Sequence, residues 1–295
     1  MTKRRKFSPF NIILLVVLAI QCLSILYLLY WALITSVKFQ SDFRVNMYGL
    51  PKGWPWEWNW NNFGDVFMKF YVEVKRGGER IKVGMEYQIL YTIIYCLSGA
   101  LTATMVPCLV AYCAAKFKFF FSRILEGIVL VTMVLPIVGN AASNLQFLNF
   151  FGLYDNIWLN FVTQFNFLGM YFLIFKSTFA SLPDDYREAA YLDGANDYVI
   201  LFRIMLPMVS KIIFTVMLLK FIAFWEDYQT PLLYVPNYPT VAYGVYYFSR
   251  VSQGPLNTTP ARMASALLMA IPIIALYIAF KERLMGNLSM GGLKE

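Results

Sequence analysis

Histidine is absent from the 295-residue sequence, and charged side chains make up only 14% of it. The first absence removes the commonest general base and metal ligand at neutral pH. No nucleophile or metal-ligand cluster takes its place, so neither catalysis nor a bound cofactor or metal is expected of this chain. A phosphate-cradling Gly-x-x-x-x-Gly-Lys-Ser/Thr loop is also missing, so ATP hydrolysis through such a loop is excluded. Cysteine is sparse: Cys22, Cys96, Cys108 and Cys113 all lie in apolar runs. There a thiol behaves as a small hydrophobe, and no disulfide framework is suggested. The charged fraction falls well below the roughly 25% usual in soluble domains. With 59% hydrophobic residues, an ordinary water-soluble fold is excluded.

What is present is a series of long apolar runs. Residues 7–37, 87–115, 127–154 and 156–175 are each uncharged and reach the roughly 20 residues needed to cross a bilayer core. A fifth run, 207–235, is interrupted by Lys220, Glu226 and Asp227, and a sixth covers 260–280. The expectation is an all-α integral membrane protein with six transmembrane helices and both termini cytoplasmic. The first run follows the basic stretch Lys3-Arg4-Arg5-Lys6, but it exceeds the roughly 7–15 apolar residues of a secretory signal, so it reads as a retained anchor. The net charge of +8 points to membrane orientation rather than to nucleic acid. Lys116, Lys118, Arg123, Lys176, Arg187, Arg203, Lys211, Lys281, Arg283 and Lys294 all fall on the side occupied by the N-terminus, as the positive-inside rule requires. The chain divides on this reading into an anchor with an outer loop (1–84), a core of spans two to six (85–283) and a cytoplasmic tail (284–295).

The outer loop holds two patterns. Residues 54–60 read WPWEWNW, aromatics suited either to the membrane interface, where Trp concentrates, or to stacking on a sugar ring. Residues 71–83 read YVEVKRGGERIKV, and alternating Val and Ile on either side of Gly77-Gly78 predicts a β-hairpin. A lone hairpin is marginal in water, so it needs support from a partner or from the rest of the loop.

The inner segment 181–207 reads SLPDDYREAAYLDGANDYVILFRIMLP. Ser181 as cap, Pro183 in the first turn and Asp184 behind it predict a helix start. Gly194 predicts its left-handed end, and Asn196 or Asp197 predicts the cap of a second short helix toward Pro207. Within it stand Glu188-Ala189-Ala190, Gly194 after three residues, and Ile204-Met205-Leu206-Pro207 after nine more.

That spacing resembles the signature of binding-protein-dependent ABC importer permeases. Further stretches resemble the maltose-type carbohydrate subgroup: Trp60-Asn61-Asn62-Phe63 before span two, Ala111 to Phe117 at its end, Trp225-Glu226-Asp227-Tyr228 in span five, and the tail from Met290 to Lys294. The hairpin departs from that pattern. The resemblance implies a bacterial plasma (inner) membrane permease importing a sugar or oligosaccharide. Its partners would be a second homologous permease, two ABC ATPase subunits that bind ATP and Mg, and an extracytoplasmic solute-binding protein. It also implies that Glu188, Ala189, Ala190, Gly194, Ile204, Leu206 and Pro207 form the loop that couples to the ATPase, with Glu188 contacting a basic group there.

Ionisable groups in hydrocarbon cost roughly 2.5–3.5 kcal/mol each and face a bundle interior or cavity. Lys220 and Asp227 either pair with each other or with groups on neighbouring helices. Alternatively, Trp225, Glu226 and Asp227, with Asn140 and Asn144, line a translocation path, carboxylates accepting sugar hydroxyls and the indole stacking on the ring. Two other readings stay open: an ABC permease for a non-sugar solute, and an ion-coupled secondary transporter.

Overall fold

The computed structural model describes residues 9–117, 121–135, 139–251 and 256–288. The basic stretch at residues 3–6, Lys118 and the tail at 290–294 lie outside the described residues. The elements in chain order are α1 (Pro9–Ser36), α2 (Gln40–Val45), α3 (Asn61–Lys69), the strands β1 (Tyr71–Arg76) and β2 (Glu79–Gly84), α4 (Met85–Lys116), α5 (Phe121–Val134), α6 (Ala141–Phe150), α7 (Asn160–Thr163) and α8 (Met170–Ser181). There follow α9 (Asp185–Leu192), α10 (Asp197–Ile200), a π turn over Leu201–Met205, α11 (Leu206–Met208), α12 (Ser210–Glu226), α13 (Gln229–Tyr234), α14 (Val241–Val251) and α15 (Thr259–Leu288). By contacts the chain separates into two units, Met1–Tyr71 with Val245–Ile271, and Val72–Gly244 with Pro272–Glu295.

Among the described residues three helices are long and apolar enough to cross a membrane: α1, α4 and the Thr259–Lys281 part of α15. The pair Asp197–Met208 and Ser210–Glu226, bent by 74°, makes a fourth if it is one span. The runs 127–154 and 156–175, expected as single spans, are each divided. α5 stops at Val134 and α6 starts at Ala141 beyond Gly139 (φ +84), while α7 and α8 are separated by a stretch ending at Gly169 (φ +119). Apolar composition survives these breaks, but left-handed glycines interrupt the helical ladder.

In the first unit α1 carries a mean hydropathy of 2.9, and no position of that apolar window is buried. Its 28 residues run about 42 Å at 1.5 Å each, enough for a core of roughly 30 Å. A helix apolar on every side is solvated by lipid. Beyond its end, wholly buried Lys38 donates from Nζ to the Asn46 carbonyl at 2.7 Å. The Asn62 amide donates to the Ser36 carbonyl at 2.7 Å, a group that the helix end leaves open, and to the Lys38 carbonyl just beyond it at 2.9 Å. Trp54 and Trp56 stack with ring centroids 5.2 Å apart, and both are mostly exposed.

In the second unit β1 and β2 pair across Gly77 and Gly78, whose φ values of +58 and +90 suit a tight hairpin turn. Val72, Val74 and Val83 are buried. The hairpin's support comes from within the chain. Arg76 donates from Nη2 to the Asn237 carbonyl at 2.8 Å and lies 4.6 Å from the Tyr238 ring centroid. Asn237 in turn is held by Asp155, whose Oδ1 accepts its backbone N–H at 2.9 Å and whose Oδ2 accepts from its side-chain amide. α4 is the hub of this unit, packing along both α8 and α12. Gly99 makes the α12 contact close: a Cβ there would stand 3.0 Å from Phe224.

Candidate functional site

The segment between α8 and α12 folds as its sequence directs, with one correction at its start. Ser181 does not cap α9. It is the last residue of α8, and its Oγ donates back to the Thr178 carbonyl at 2.7 Å. The cause is Pro183, which forces the preceding residue out of the helical region: Leu182 is extended (φ −76, ψ 133), and the cap position falls at Asp184 instead of Ser181, with α9 opening at Asp185. The Asp184 carboxylate is engaged elsewhere, accepting from Lys116 Nζ at 2.8 Å.

At the other end α9 closes in a Schellman arrangement. Gly194 N–H donates to the Tyr191 carbonyl at 3.0 Å and Ala195 N–H to the Ala190 carbonyl at 2.9 Å, with Gly194 at φ +81. These two bonds satisfy carbonyls that the helix end would leave bare, and they need a left-handed residue at that position. Asn196 then caps α10, its Oδ1 accepting from Val199 N–H at 2.9 Å. Tyr191 donates to the Asp197 carboxylate, which ties α9 to α10 and raises the phenol pKa. The π turn that follows, with Leu206 N–H reaching the Leu201 carbonyl, widens the helix just ahead of Pro207. Pro207 has no N–H to give and would crowd a carbonyl one turn back. Val209 then carries the bend into α12.

The expected docking residues divide between two faces. Glu188, Ala189, Gly194 and Pro207 are exposed, Ile204 is half-buried, and Ala190 and Leu206 are buried. The buried pair belongs to a core with Ala111, Tyr112, Phe175, Phe179 and Ile200. On the outside, Tyr186, Leu192, Tyr198 and Phe202 stand exposed near Glu188 in sequence, Leu192 by 90%. Three residues escaped the sequence reading as site residues: Lys116, Asp184 and Arg187. Lys116 Nζ donates to the Leu182 carbonyl at 2.7 Å as well as to Asp184, and Arg187 Nη1 donates to the Lys116 carbonyl at 2.7 Å.

The charged groups Lys220 and Asp227 find separate partners. Asp227 follows the last residue of α12; its Oδ2 accepts from the Tyr95 hydroxyl of α4 at 2.8 Å and its Oδ1 from Thr230 N–H at 3.0 Å. Lys220 does not pair with it. The Lys220 ammonium lies 4.8 Å from the Tyr171 ring centroid on α8, so both groups find neighbouring helices. Trp225 is buried with its ring stacked on Phe221, while Glu226 is exposed. Asn140 and Asn144 lie one turn apart at the start of α6, both exposed, and Tyr234 of α13 donates to the Ala141 carbonyl between them at 3.3 Å. Among the described residues no group of three or more His, Cys, Asp or Glu is placed to hold a metal ion.

Proteins of related sequence are transport permease subunits. They include the diacetylchitobiose uptake system permease protein NgcG of Streptomyces coelicolor, 24% identical over 88% of this chain and 82% of its own length. The trehalose/maltose transport system permease protein MalG of Thermococcus litoralis is 27% identical over 69% of this chain and 73% of its own. A chain from the crystal structure of a bacterial ABC transporter involved in import of the acidic polysaccharide alginate superposes with a TM-score of 0.71. It covers 94% of this chain and 98% of that one at 21% identity, which shows a shared fold. The profile of one family matches residues 103–285, from the middle of α4 through the α9 turn and into α15, and the chain belongs to that family, the binding-protein-dependent transport system inner membrane components.

Proposed function

We propose that this chain is one permease subunit of an ATP-driven importer, and that it passes a sugar or oligosaccharide handed over by an external solute-binding protein. The observation that carries the proposal is the Schellman-closed helix α9, which holds Glu188 and Ala189 outward beside exposed Tyr186 and Leu192. On this reading α9 docks on a separate ATPase subunit that binds ATP and Mg. Glu188 offers a carboxylate to a basic group there, and Ala189 permits close approach. Two ATPase subunits and a second homologous permease complete the assembly. The chain crosses the inner membrane six times, with crossings three and four built from the divided pairs α5 with α6 and α7 with α8, and both termini lie on the cytoplasmic side with α9. The cargo class is supported by NgcG and MalG, whose names give sugars as their solutes. An ion-coupled transporter is disfavoured because Lys220 and Asp227 are each occupied by an aromatic partner.

The cargo is tested by capturing the assembly through a tag on this chain and identifying what its binding protein carries. Mass spectrometry of the small molecules released on denaturation is expected to find a carbohydrate. Recovery of an amino acid, peptide or polyamine instead overturns the sugar assignment and leaves the permease role standing.

A further inference from the structure

Where α9 meets the inner end of α4, the two helices exchange contacts that docking itself does not use. Lys116 is the last residue of α4, and its side chain is only 4% exposed. Its ammonium bridges the Leu182 carbonyl and the Asp184 carboxylate at the entrance to α9. In the opposite direction, Arg187 of α9 donates to the Lys116 carbonyl, one of the groups that the end of α4 leaves without a helical partner. The Arg187 guanidinium also lies 5.7 Å from the Phe117 ring centroid. Phe117 packs edge-on against Tyr112 at 5.8 Å, and Tyr112 against Phe179 of α8 at 5.3 Å. Ala190 lies in the same buried cluster as Ala111 and Tyr112.

Charge-assisted hydrogen bonds are the strong ones, and this set runs both ways. Lys116 reaches from α4 to the segment before α9, and Arg187 reaches from α9 to the terminus of α4. A large rotation of one helix against the other would strain these bonds in both directions at once. The covalent route from α9 to α12 has the reverse character. It passes through the left-handed Gly194, the π turn and the 74° bend at Val209, where backbone torsions can absorb a displacement.

We propose that Lys116 and Arg187 are positioning residues that make α9 and the inner end of α4 one rigid body, so that movement imposed on α9 enters the membrane through α4. The proposal rests on the docking role given to α9 above. From α4 the displacement reaches α8 and α12 through the packing along its length.

The test is a distance measurement on the assembled complex in lipid nanodiscs, with exposed cysteines of the partner subunits removed. Cys22→Ser leaves Cys113 as the exposed native thiol of this chain, and Asp193→Cys adds a second at the exposed end of α9. With spin labels on both, pulsed electron resonance is expected to give one narrow α4-to-α9 distance that is the same without nucleotide and after trapping with ATP and vanadate. In the Lys116→Met, Arg187→Met double variant the distribution broadens and shifts with nucleotide, and the single variant Lys116→Arg, with Arg187 native, keeps a narrow one. A distance that shifts with nucleotide in the chain with native Lys116 and Arg187 overturns the proposal, and that result needs neither variant to fold. Docking is read separately, by disulfide trapping between Glu188→Cys and single cysteines on the ATPase. Absence of any trapped product removes the docking role itself. A trapped product with a nucleotide-dependent α4-to-α9 distance removes the rigid-body proposal alone.

Discussion

Gly194 allows strain and crowding to be separated by substitution. It sits at φ +81, yet no heavy atom lies within 4 Å of the place a Cβ would take. A side chain there meets open space, so its cost in the isolated chain is backbone strain, about 1–2 kcal/mol for an ordinary L-residue in the left-handed region. Asn tolerates that region better and costs less. The strain falls on the bonds Gly194 and Ala195 make to the Tyr191 and Ala190 carbonyls. Since about 1.4 kcal/mol is a factor of ten, Gly194→Ala should lower the hydrogen-exchange protection of the Ala195 amide by roughly five- to thirtyfold. Gly194→Gln should match Ala despite its size, and Gly194→Asn should fall short of both. A loss that grows from Ala to Gln would refute the reasoning, because crowding would then be the cause. Unchanged protection in Gly194→Ala would show that the left-handed turn is not needed. In the assembled importer the space is expected to be filled by the ATPase, so Gly194→Asp should abolish uptake while membrane insertion remains intact.

Two predictions concern the packing of α4 against α12. Tyr95→Phe removes the donor to Asp227 from a fully buried site and should destabilise the chain by about 1–3 kcal/mol. Asp227→Asn combined with it should cost less than the sum of the two, and strict additivity in detergent melting would contradict the contact. Gly99→Ala drives a methyl to 3.0 Å from Phe224 and should cost about 1–3 kcal/mol. Phe224→Leu should recover part of that loss, and a neutral Gly99→Ala would mean that the Phe224 ring can move aside at little cost.

The features legible in the sequence were those set by local chemistry. Gly194 announced a left-handed helix end, Asn196 a cap, and Gly77-Gly78 a hairpin turn, because each conformation is decided within a few residues. Apolar runs marked the membrane segments, since a run of roughly 20 apolar residues is long enough to cross the hydrocarbon core as a helix. Their continuity was not legible: the residues around Gly139 and Gly169 are apolar enough for lipid, and hydropathy does not register a break in the ladder. Ser181 misled for a related reason, as the cap pattern ignored the extended residue that Pro183 demands before it. The partners of Lys116 and Lys220 were hidden by distance. Lys116 meets Asp184 68 positions on, and Lys220 turns to the face of Tyr171, an attraction that charge pairing does not suggest.

The central claim, that this chain works as one permease among several importer subunits, is tested most directly by capturing it. The tagged protein is drawn from its native membranes in mild detergent, and everything that accompanies it is identified by mass spectrometry. The account predicts an ATPase, a second multi-span permease and a solute-binding protein. Recovery of the chain alone or as a homo-oligomer, under conditions that keep a known ABC importer intact, would contradict it.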